Sequence, residues 1–295
     1  NGDKIVRFVP HEADEDYIRP VGNDVQMGHP MTQPGDRLSP LLLGALAAAG
    51  VCEIRVYRRP KVGVFSSGDE LRDPGTPPDA LTLGQIYDSN RFTLTSLLRH
   101  LPIELIALDR LPDDPDAVEE ALTEASRRCD MLITSGGVSV GDADFIGATI
   151  ARLGELSFWR LNLKPGKPLA FGNIGDCWIF GLPGNPVSTI VTCLLLVMPS
   201  LQVLCGTIPK PLLRIPATLS SPVSHRPGRA EYQRGIYSQN EPSSSALSVK
   251  HTGDQGSNRL STFAGANCLI EIPKDSGDLA VGADVNILPL SDLLA

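Results

Sequence analysis

Short apolar runs and helix-like segments alternate in the middle of the chain. Each run has the length of a buried strand and leads into a loop that is rich in glycine or carboxylate residues. Asp88 and Asp114 stand where helix caps are expected, and Pro115 suits the first helical turn. This order predicts an α/β domain with a mostly parallel sheet covered by helices. The apolar runs lie at 61–65, 103–108 and 131–134.

The pattern changes on both sides of this domain. The N-terminal segment is rich in proline and glycine, with strand-like alternation at 4–9 and 53–57 and a helix predicted to begin at Ser39. The C-terminal segment has short alternating runs separated by turns, which predict a small all-β domain, a barrel or a sandwich. We therefore predict a β-rich remnant with a connecting helix at 1–58, an α/β domain at 59–210 and a β domain at 211–295.

The composition favours a cytoplasmic protein that acts on small molecules. The 295 residues carry a formal net charge of −8, which argues against a broad nucleic-acid surface. The six cysteines form no C-x-x-C pair, so we expect free thiols in a reducing compartment. The longest apolar run, 190–198, is too short to span a bilayer, and no signal peptide is recognised. We expect no membrane partner and no nucleic-acid partner.

The densest chemistry follows the third predicted strand. The stretch 134–145 holds three glycines, three small hydroxyl residues and two carboxylates. Glycines let backbone N–H groups approach a ligand, and the helix start beyond the loop favours an anion. Two carboxylates beside that anion suit a magnesium ion. The stretch therefore predicts a phosphate and magnesium site.

Other polar residues fall at the same edge of the predicted sheet. Carboxylates follow the first two strands at 69–70 and 113–114, and ligands of parallel sheets bind beyond the carboxyl ends of the strands. Lys164 and Lys167 lie on a proline-stiffened turn that suits an oxyanion. Each of these features alone is explained equally well as a turn, a helix cap or a surface charge. Their occurrence together favours a ligand-binding site. No P-loop or dinucleotide fingerprint is present, and the histidines lack metal-ligand spacing.

Six motifs occur in one order along the chain. They are Ser-Gly-Asp-Glu at 67–70, Gln-Ile-Tyr-Asp-Ser-Asn at 85–90, Asp-Asp-Pro at 113–115, Ser-Gly-Gly-Val-Ser-Val-Gly-Asp-Ala-Asp at 135–144, Lys-Pro-Gly-Lys-Pro at 164–168 and Gly-Leu-Pro-Gly-Asn-Pro-Val-Ser at 181–188. Two further stretches follow at 228–235 and 251–257. Together they closely resemble the molybdopterin molybdenumtransferase (MoeA) family, which includes the E domain of gephyrin. The resemblance covers nearly the whole chain and implies a three-layer α/β domain of the molybdopterin-binding type.

The resemblance implies the last step of molybdenum cofactor synthesis. A Mg²⁺-dependent transferase of this family places molybdate on adenylylated molybdopterin, and AMP leaves. By family analogy, the catalytic residues are Glu70, Asp113 and Asp144, and the Mg²⁺ ligands are Glu70 and Asp144. The residues implied to bind substrate or anion are Ser135, Gly136, Gly137, Ser139, Lys164, Lys167, Pro168, Pro183, Pro186, Arg234 and Ser257.

The resemblance also implies a homodimer, with a molybdopterin adenylyltransferase and molybdoenzymes as candidate partners. Two departures stand out. Arg160 replaces a lysine that is frequent in relatives, which keeps the charge but changes the geometry. The family's N-terminal Ser-Ala-Met-Asp-Gly-Tyr-like segment is absent from the sequence, so we expect a chain that lacks the N-terminal part of the family.

Two alternative functions stay open at this stage. The first is a molybdopterin adenylyltransferase, which shares the glycine-loop domain, and the second is a non-catalytic molybdopterin-binding scaffold. The β domain after residue 210 and the loop 182–186 favour the molybdenum-inserting transferase over the adenylyltransferase. The complete set of acids and lysines argues against pure scaffolding.

Overall fold

The structure, a computed structural model, describes residues 4–7, 19–138, 145–208, 210–239 and 246–294. The chain divides into two compact units, Asn1–Val56 and Tyr57–Ala295. In the first unit, helix α1 spans Pro40–Ala48, and the Ser39 side chain caps it by accepting a hydrogen bond from the Leu42 N–H, as predicted.

The predicted strands at the N-terminus are not found among the described residues. Residues 4–7 and 19–58 contain one helix and no strand, so the strand expected at 53–57 is wrong. The strand expected at 4–9 is not formed over 4–7, and its last two residues lie outside the described part of the chain. The reason is physical: alternation supplies one apolar face, but a strand also needs a neighbouring strand for its backbone hydrogen bonds.

The second unit begins with an α/β domain whose main sheet has six strands. Four neighbouring strands run parallel, and two antiparallel strands complete one edge in the order β4-β1-β5-β9-β8-β6. The predicted mostly parallel sheet is confirmed. The strands of this domain are β1 Lys61–Ser66, β2 Leu71–Arg72, β3 Ile86–Tyr87, β4 Glu104–Ala107, β5 Met131–Ser135, β6 Glu155–Phe158, β7 Leu163–Lys164, β8 Ala170–Ile174 and β9 Cys177–Leu182.

Helices cover both faces of this sheet and make three layers. The Asp88 carboxylate accepts from the Arg91 N–H at 3.0 Å and the Asp114 carboxylate from the Ala117 N–H at 2.8 Å, so both predicted caps are confirmed. One face buries apolar residues of α2 and α6, and the other buries those of α3 and α4, whereas α5 packs against the barrel. The helices are α2 Ser89–Leu98, α3 Pro115–Ser126, α4 Phe145–Leu153, α5 Pro186–Thr192 and α6 Met198–Leu204; a π-helical turn, Cys193–Val197, joins the last two.

The joined helix Pro186–Leu204 is strongly apolar. Among the described residues it is the one helix whose length and composition would suffice to cross a membrane. However, 61% of it is buried inside the protein, where it packs against the sheet and the barrel. This burial is what the core helix of a layered domain requires.

The C-terminal domain is a closed five-stranded barrel. Strand β12 pairs with both β10 and β11, which completes the ring β12-β10-β14-β13-β11, and α7, Leu290–Leu293, follows it. The predicted small β domain is confirmed, in its barrel form. The short strand β7 of the α/β domain pairs in parallel with β11 and so joins the two domains. The barrel strands are β10 Ile215–Leu219, β11 Ala230–Gln239, β12 Leu247–His251, β13 Cys268–Ile272 and β14 Asp284–Pro289.

Candidate active site

A cavity of about 1060 Å³ lies where the α/β domain meets the barrel. We call it the junction cavity. Two backbone contacts build it: Lys164 of β7 lies in register with Glu231 of β11, and the Val187 N–H donates to the Ser257 carbonyl at 3.0 Å. Its polar and charged lining comes from both domains and consists of Lys164, Lys167, Asn185, Ser188, Ser224, Arg229, Glu231, Gln233, His251, Asp254, Gln255, Ser257 and Asp278.

The two predicted lysines both line this cavity but have different surroundings. The Lys164 ammonium donates to Glu231 Oε2 at 3.0 Å, and its side chain is 44% exposed. Lys167 is exposed and makes no ion pair with any residue that the structure describes. Pro168 lines the cavity beside it. Lys167 is therefore the lysine whose charge stays available to a ligand.

The loop after β9 forms the wall between the cavity and the glycine-rich loop. Pro186 begins α5, and the buried Pro183 carbonyl accepts from the Thr189 hydroxyl at 2.6 Å. A Cβ built on Gly184 would lie 3.7 Å from Gly136 Cα, so the two loops are close neighbours. Pro183 and Pro186 shape this wall and do not themselves line the cavity.

Arg234 requires a correction. It was expected to close the anion pocket, but the residue is 0% exposed and is absent from the cavity lining. Its guanidinium donates to the carbonyl oxygens of Asp254, Gln255 and Gly256 at 3.1–3.2 Å and to the Thr262 hydroxyl at 3.0 Å. Burial lowers the pKa of this guanidinium from its usual value. Arg234 supports from behind the loop that brings Ser257 to the cavity.

Three residues of the cavity lining were not predicted from the sequence as site residues. Arg229 lines the cavity and forms no ion pair among the described residues, although it lies inside a stretch that carried the family resemblance. Ser188 is 4% exposed and lines the cavity from α5. Glu231 is the partner of Lys164. The stretch Gly-Arg-Ala-Glu at 228–231 was a usable signal for Arg229, whereas the pairing of β7 with β11 could not be read from local pattern.

Two further carboxylates of the cavity are held by short hydrogen bonds. The Asp254 pKa is lowered mainly by the Gly256 N–H at 2.8 Å, with help from Arg259. The Asp278 pKa is lowered by the His225 backbone N–H at 2.8 Å and then by the Ser224 hydroxyl. Both side chains are thus committed to fixing the barrel loops that form the cavity wall.

Asp69 and Asp113 lie together away from the cavity, at the carboxyl ends of β1 and β4. Asp113 Oδ2 accepts from the Asp69 N–H at 3.2 Å, and Asp69 Oδ1 accepts from the Asp113 N–H at 3.4 Å. The Ser67 hydroxyl lies 3.5 Å from Asp113 Oδ1. This acidic rim matches the expected edge of the sheet. It does not line the junction cavity.

The glycine loop packs against this rim. Gly136 has φ = +95°, and a Cβ there would lie 2.5 Å from the Ser67 carbonyl oxygen, so only glycine fits. Gly137 has φ = +69°. Ser135 is 2% exposed, and its hydroxyl has no hydrogen-bond partner among the described residues. Binding of a ligand by these three residues stays a prediction.

The described residues alone do not make a magnesium site. No group of three His, Cys, Asp or Glu side chains within the described ranges is arranged to hold a metal ion. Glu70, one predicted ligand, is exposed, and its carboxylate folds back over Gly68. The other predicted ligand, Asp144, and the predicted anion-binding Ser139 lie outside the described residues. The magnesium assignment therefore stays a prediction.

The family models match both domains of the second unit. Residues 63–203 match the model described as a probable molybdopterin binding domain, and residues 216–290 match the MoeA C-terminal region (domain IV). These matches cover the α/β sheet and the barrel in turn.

Named relatives agree with the family models. The chain is 41% identical to a molybdopterin molybdenumtransferase from Haemophilus influenzae, over 100% of this chain and 72% of that protein. It is 31% identical to gephyrin from Dictyostelium discoideum, over 92% of this chain and 42% of gephyrin.

A solved structure, the molybdopterin biosynthesis MoeA protein from Pyrococcus horikoshii, superposes with a TM-score of 0.74 and 29% identity. That alignment covers 91% of this chain and 64% of the other chain.

Proposed function

The chain belongs to the molybdopterin molybdenumtransferase (MoeA) family, and we propose that it inserts molybdate into adenylylated molybdopterin with release of AMP. Named family members support this reaction class. The observation that carries the proposal is the junction cavity, in which cations from two domains face a space large enough for a small anionic ligand.

The cations would hold the oxyanion. Lys167 and Arg229 line the cavity and form no ion pair with described residues, so their charges can neutralise molybdate. Ser188 of the α/β domain and Ser257 of the barrel domain also line the cavity and offer hydroxyl donors. A rigid turn carries the lysine, which reduces the conformational freedom that binding must remove.

The acidic rim would serve the cleavage step. In this step a water oxygen bonds to a phosphorus of the phosphoanhydride, the bond to the bridging oxygen breaks, and AMP leaves. Asp113 accepts from the Asp69 N–H and lies next to the Ser67 hydroxyl. In the proposed step it would accept the proton of that water. Glu70 and Asp144 are proposed as further acids there. A bound Mg²⁺ would supply charge neutralisation at the phosphates.

We also propose a cytoplasmic homodimer that receives adenylylated molybdopterin from an adenylyltransferase and passes its product to molybdoenzymes. Six cysteines without disulfides among the described residues support a reducing compartment. Light scattering of the purified chain would test the dimer, since a monomer at all concentrations would contradict it.

The test of function is AMP release from adenylylated molybdopterin with Mg²⁺, with and without molybdate. We expect molybdate-dependent AMP release with molybdenum bound to the pterin, and loss of release after chelation of Mg²⁺. Binding of the substrate without AMP release would instead support a scaffold. Adenylylation of molybdopterin from ATP would support an adenylyltransferase, although the match of residues 216–290 to the MoeA C-terminal region argues against that reaction.

A further inference from the structure

A buried carboxylate of the barrel lies directly against Lys164. Glu231 is 3% exposed at its side chain and occupies the in-register position opposite Lys164 in the parallel pair of β7 and β11. Because β7 belongs to the α/β domain and β11 to the barrel, this ion pair joins the two domains at the edge of the junction cavity.

The Glu231 carboxylate accepts three hydrogen bonds from side chains that the structure describes. Oε2 accepts from Lys164 Nζ at 3.0 Å and from His225 Nδ1 at 2.8 Å, and Oε1 accepts from Gln233 Nε2 at 3.1 Å. Gln233 lies two residues along the same strand and is 4% exposed. Donors on both oxygens define the orientation of the carboxylate and satisfy its burial.

The histidine is a buried part of the same arrangement. The His225 side chain is 0% exposed, and its backbone N–H is fixed by Asp278 Oδ1 at 2.8 Å. A carboxylate only accepts, so Nδ1 must carry the hydrogen and the ring donates it to Glu231. Nε2 is buried and has no hydrogen-bond partner among the described residues.

We propose that Glu231 is a positioning residue for anion binding, which sets the place of the Lys164 ammonium and is itself held by His225 and Gln233. This inference rests on the proposed function, in which the cavity binds molybdate. A free lysine loses rotamer freedom when it grips an anion, and Glu231 imposes that order beforehand. Lys167, which has no such partner among the described residues, should not depend on Glu231.

An opposite effect is conceivable from charge alone. A carboxylate near an anion site repels the anion, so the removal of Glu231 would then tighten binding. The two effects predict opposite signs, and they also differ in whether Lys164 is needed. A double-mutant cycle separates them because only positioning requires both residues.

The experiment measures molybdate affinity by calorimetry for the wild-type chain, Glu231→Gln, Lys164→Met and the double variant. We expect Glu231→Gln to weaken binding about tenfold, which is the scale of one charge-assisted hydrogen bond. In the Lys164→Met background the same change should have less than about a twofold effect. Unchanged or tighter binding in Glu231→Gln, or equal effects in both backgrounds, would overturn the proposal.

Glu271→Gln is the matched control. Glu271 lies on the neighbouring strand β13, bonds to Arg214 and Tyr232, and does not line the cavity. The Glu271→Gln variant should leave molybdate affinity unchanged, although it removes a comparable ion pair from the barrel. If it weakens binding as much as Glu231→Gln does, the effect is general loosening of the barrel and the proposal fails.

A second variant tests the proposal even if Glu231→Gln fails to fold. Gln233→Leu removes the donor to Oε1 but keeps the Glu231 carboxylate, and should weaken molybdate binding by about threefold, again only when Lys164 is present. A threefold loss that persists in Lys164→Met would contradict positioning. If the wild-type chain binds molybdate but the effects of the variants are additive, this inference alone is refuted. If the wild-type chain neither binds molybdate nor releases AMP, the proposed function is refuted and the inference with it.

Discussion

Two cavities lined by positive side chains of described residues lie at opposite ends of the main sheet. The junction cavity lies beyond the carboxyl end of β9. The second, which we call the basal cavity, has a volume of about 720 Å³ and opens at the amino ends of β1, β5 and β9. Its charged lining is Arg58, Lys61, Arg127, Arg128, Asp130 and Asp176. A count of cations does not distinguish the two cavities.

The partners of these cations do distinguish them. In the basal cavity Arg58 binds Asp130 bidentately and Arg128 pairs with Glu124 at 3.6 Å. Helix α3 ends at this cavity, where its terminal carbonyls carry partial negative charge, which Arg127 at the C-cap complements. Arg58 and Arg128 therefore balance charges of the fold, whereas Lys167 and Arg229 line the junction cavity without acidic partners among the described residues. The comparison shows that the pairing of cations has to be considered together with their number when a candidate anion site is chosen.

The strongest way to break the comparison is to remove one cation from each cavity. Lys167→Ala should lower kcat/KM for molybdate-dependent AMP release about 100-fold, because one cationic donor to the oxyanion is lost. Arg127→Ala should change it less than twofold. Comparable losses in the two variants, measured by steady-state kinetics on folded protein, would show that the cavities are not functionally different.

Arg234, a buried cation that does not line the cavity, gives a second test with a smaller expected effect. Arg234→Met leaves three carbonyls of the loop 254–256 without their donors and should lower the free energy of unfolding by about 2 kcal/mol. Arg259→Met, on the same loop but 59% exposed, should cost less than about 1 kcal/mol. Urea denaturation of both variants measures the difference. If Arg259→Met costs as much as Arg234→Met, the supporting role of Arg234 is wrong.

The smallest effect concerns acid stability at the basal cavity. The Arg58 guanidinium, aided by the Lys61 N–H, lowers the pKa of Asp130 below its unfolded value near 3.8. The carboxylate therefore contributes stability above that value, and the contribution is lost as the pH falls through the lower pKa of the folded state. Unfolding midpoints between pH 6 and pH 2 should fall less steeply in Asp130→Asn than in the wild type.

Molybdate affinity in this variant should stay at the wild-type value. A change in affinity would mean that the basal cavity is coupled to anion binding, and the distinction between the two cavities would then be lost.

Much of the fold was predictable because its signals are local. A few neighbouring residues are enough to predict two helix starts and two strands. The helix starts are at the caps Asp88 and Asp114, and the strands are at the apolar runs 61–65 and 131–134. The acidic rim followed from a general rule: successive parallel strands end at one edge of a sheet. The N-terminal strands failed for the complementary reason, since alternation alone provides no pairing partner.

The site was predictable only in part. Lys164, Lys167, Pro168 and Ser257 do line one cavity, as their grouping required, but the acidic rim forms a separate cluster. Arg234 lies outside the cavity lining. The sequence could not show this, because an arginine beside a polar loop has the same sequence signature whether its guanidinium faces a ligand or the backbone of that loop. Their roles in binding and catalysis stay predictions.

The sequence by itself determined the α/β domain, the small β domain, the glycine loop and the family, because periodicity, caps and ordered motifs are properties of neighbouring residues. Only the tertiary structure decided which charges meet. Lys164 and Glu231 are 67 residues apart and become partners through a strand of two residues, β7, that pairs with β11. Local pattern carries almost no information about so short a strand. Its position depends on the packing of two whole domains, and that packing separates a lysine held by a buried carboxylate from one that faces the cavity without a partner among the described residues.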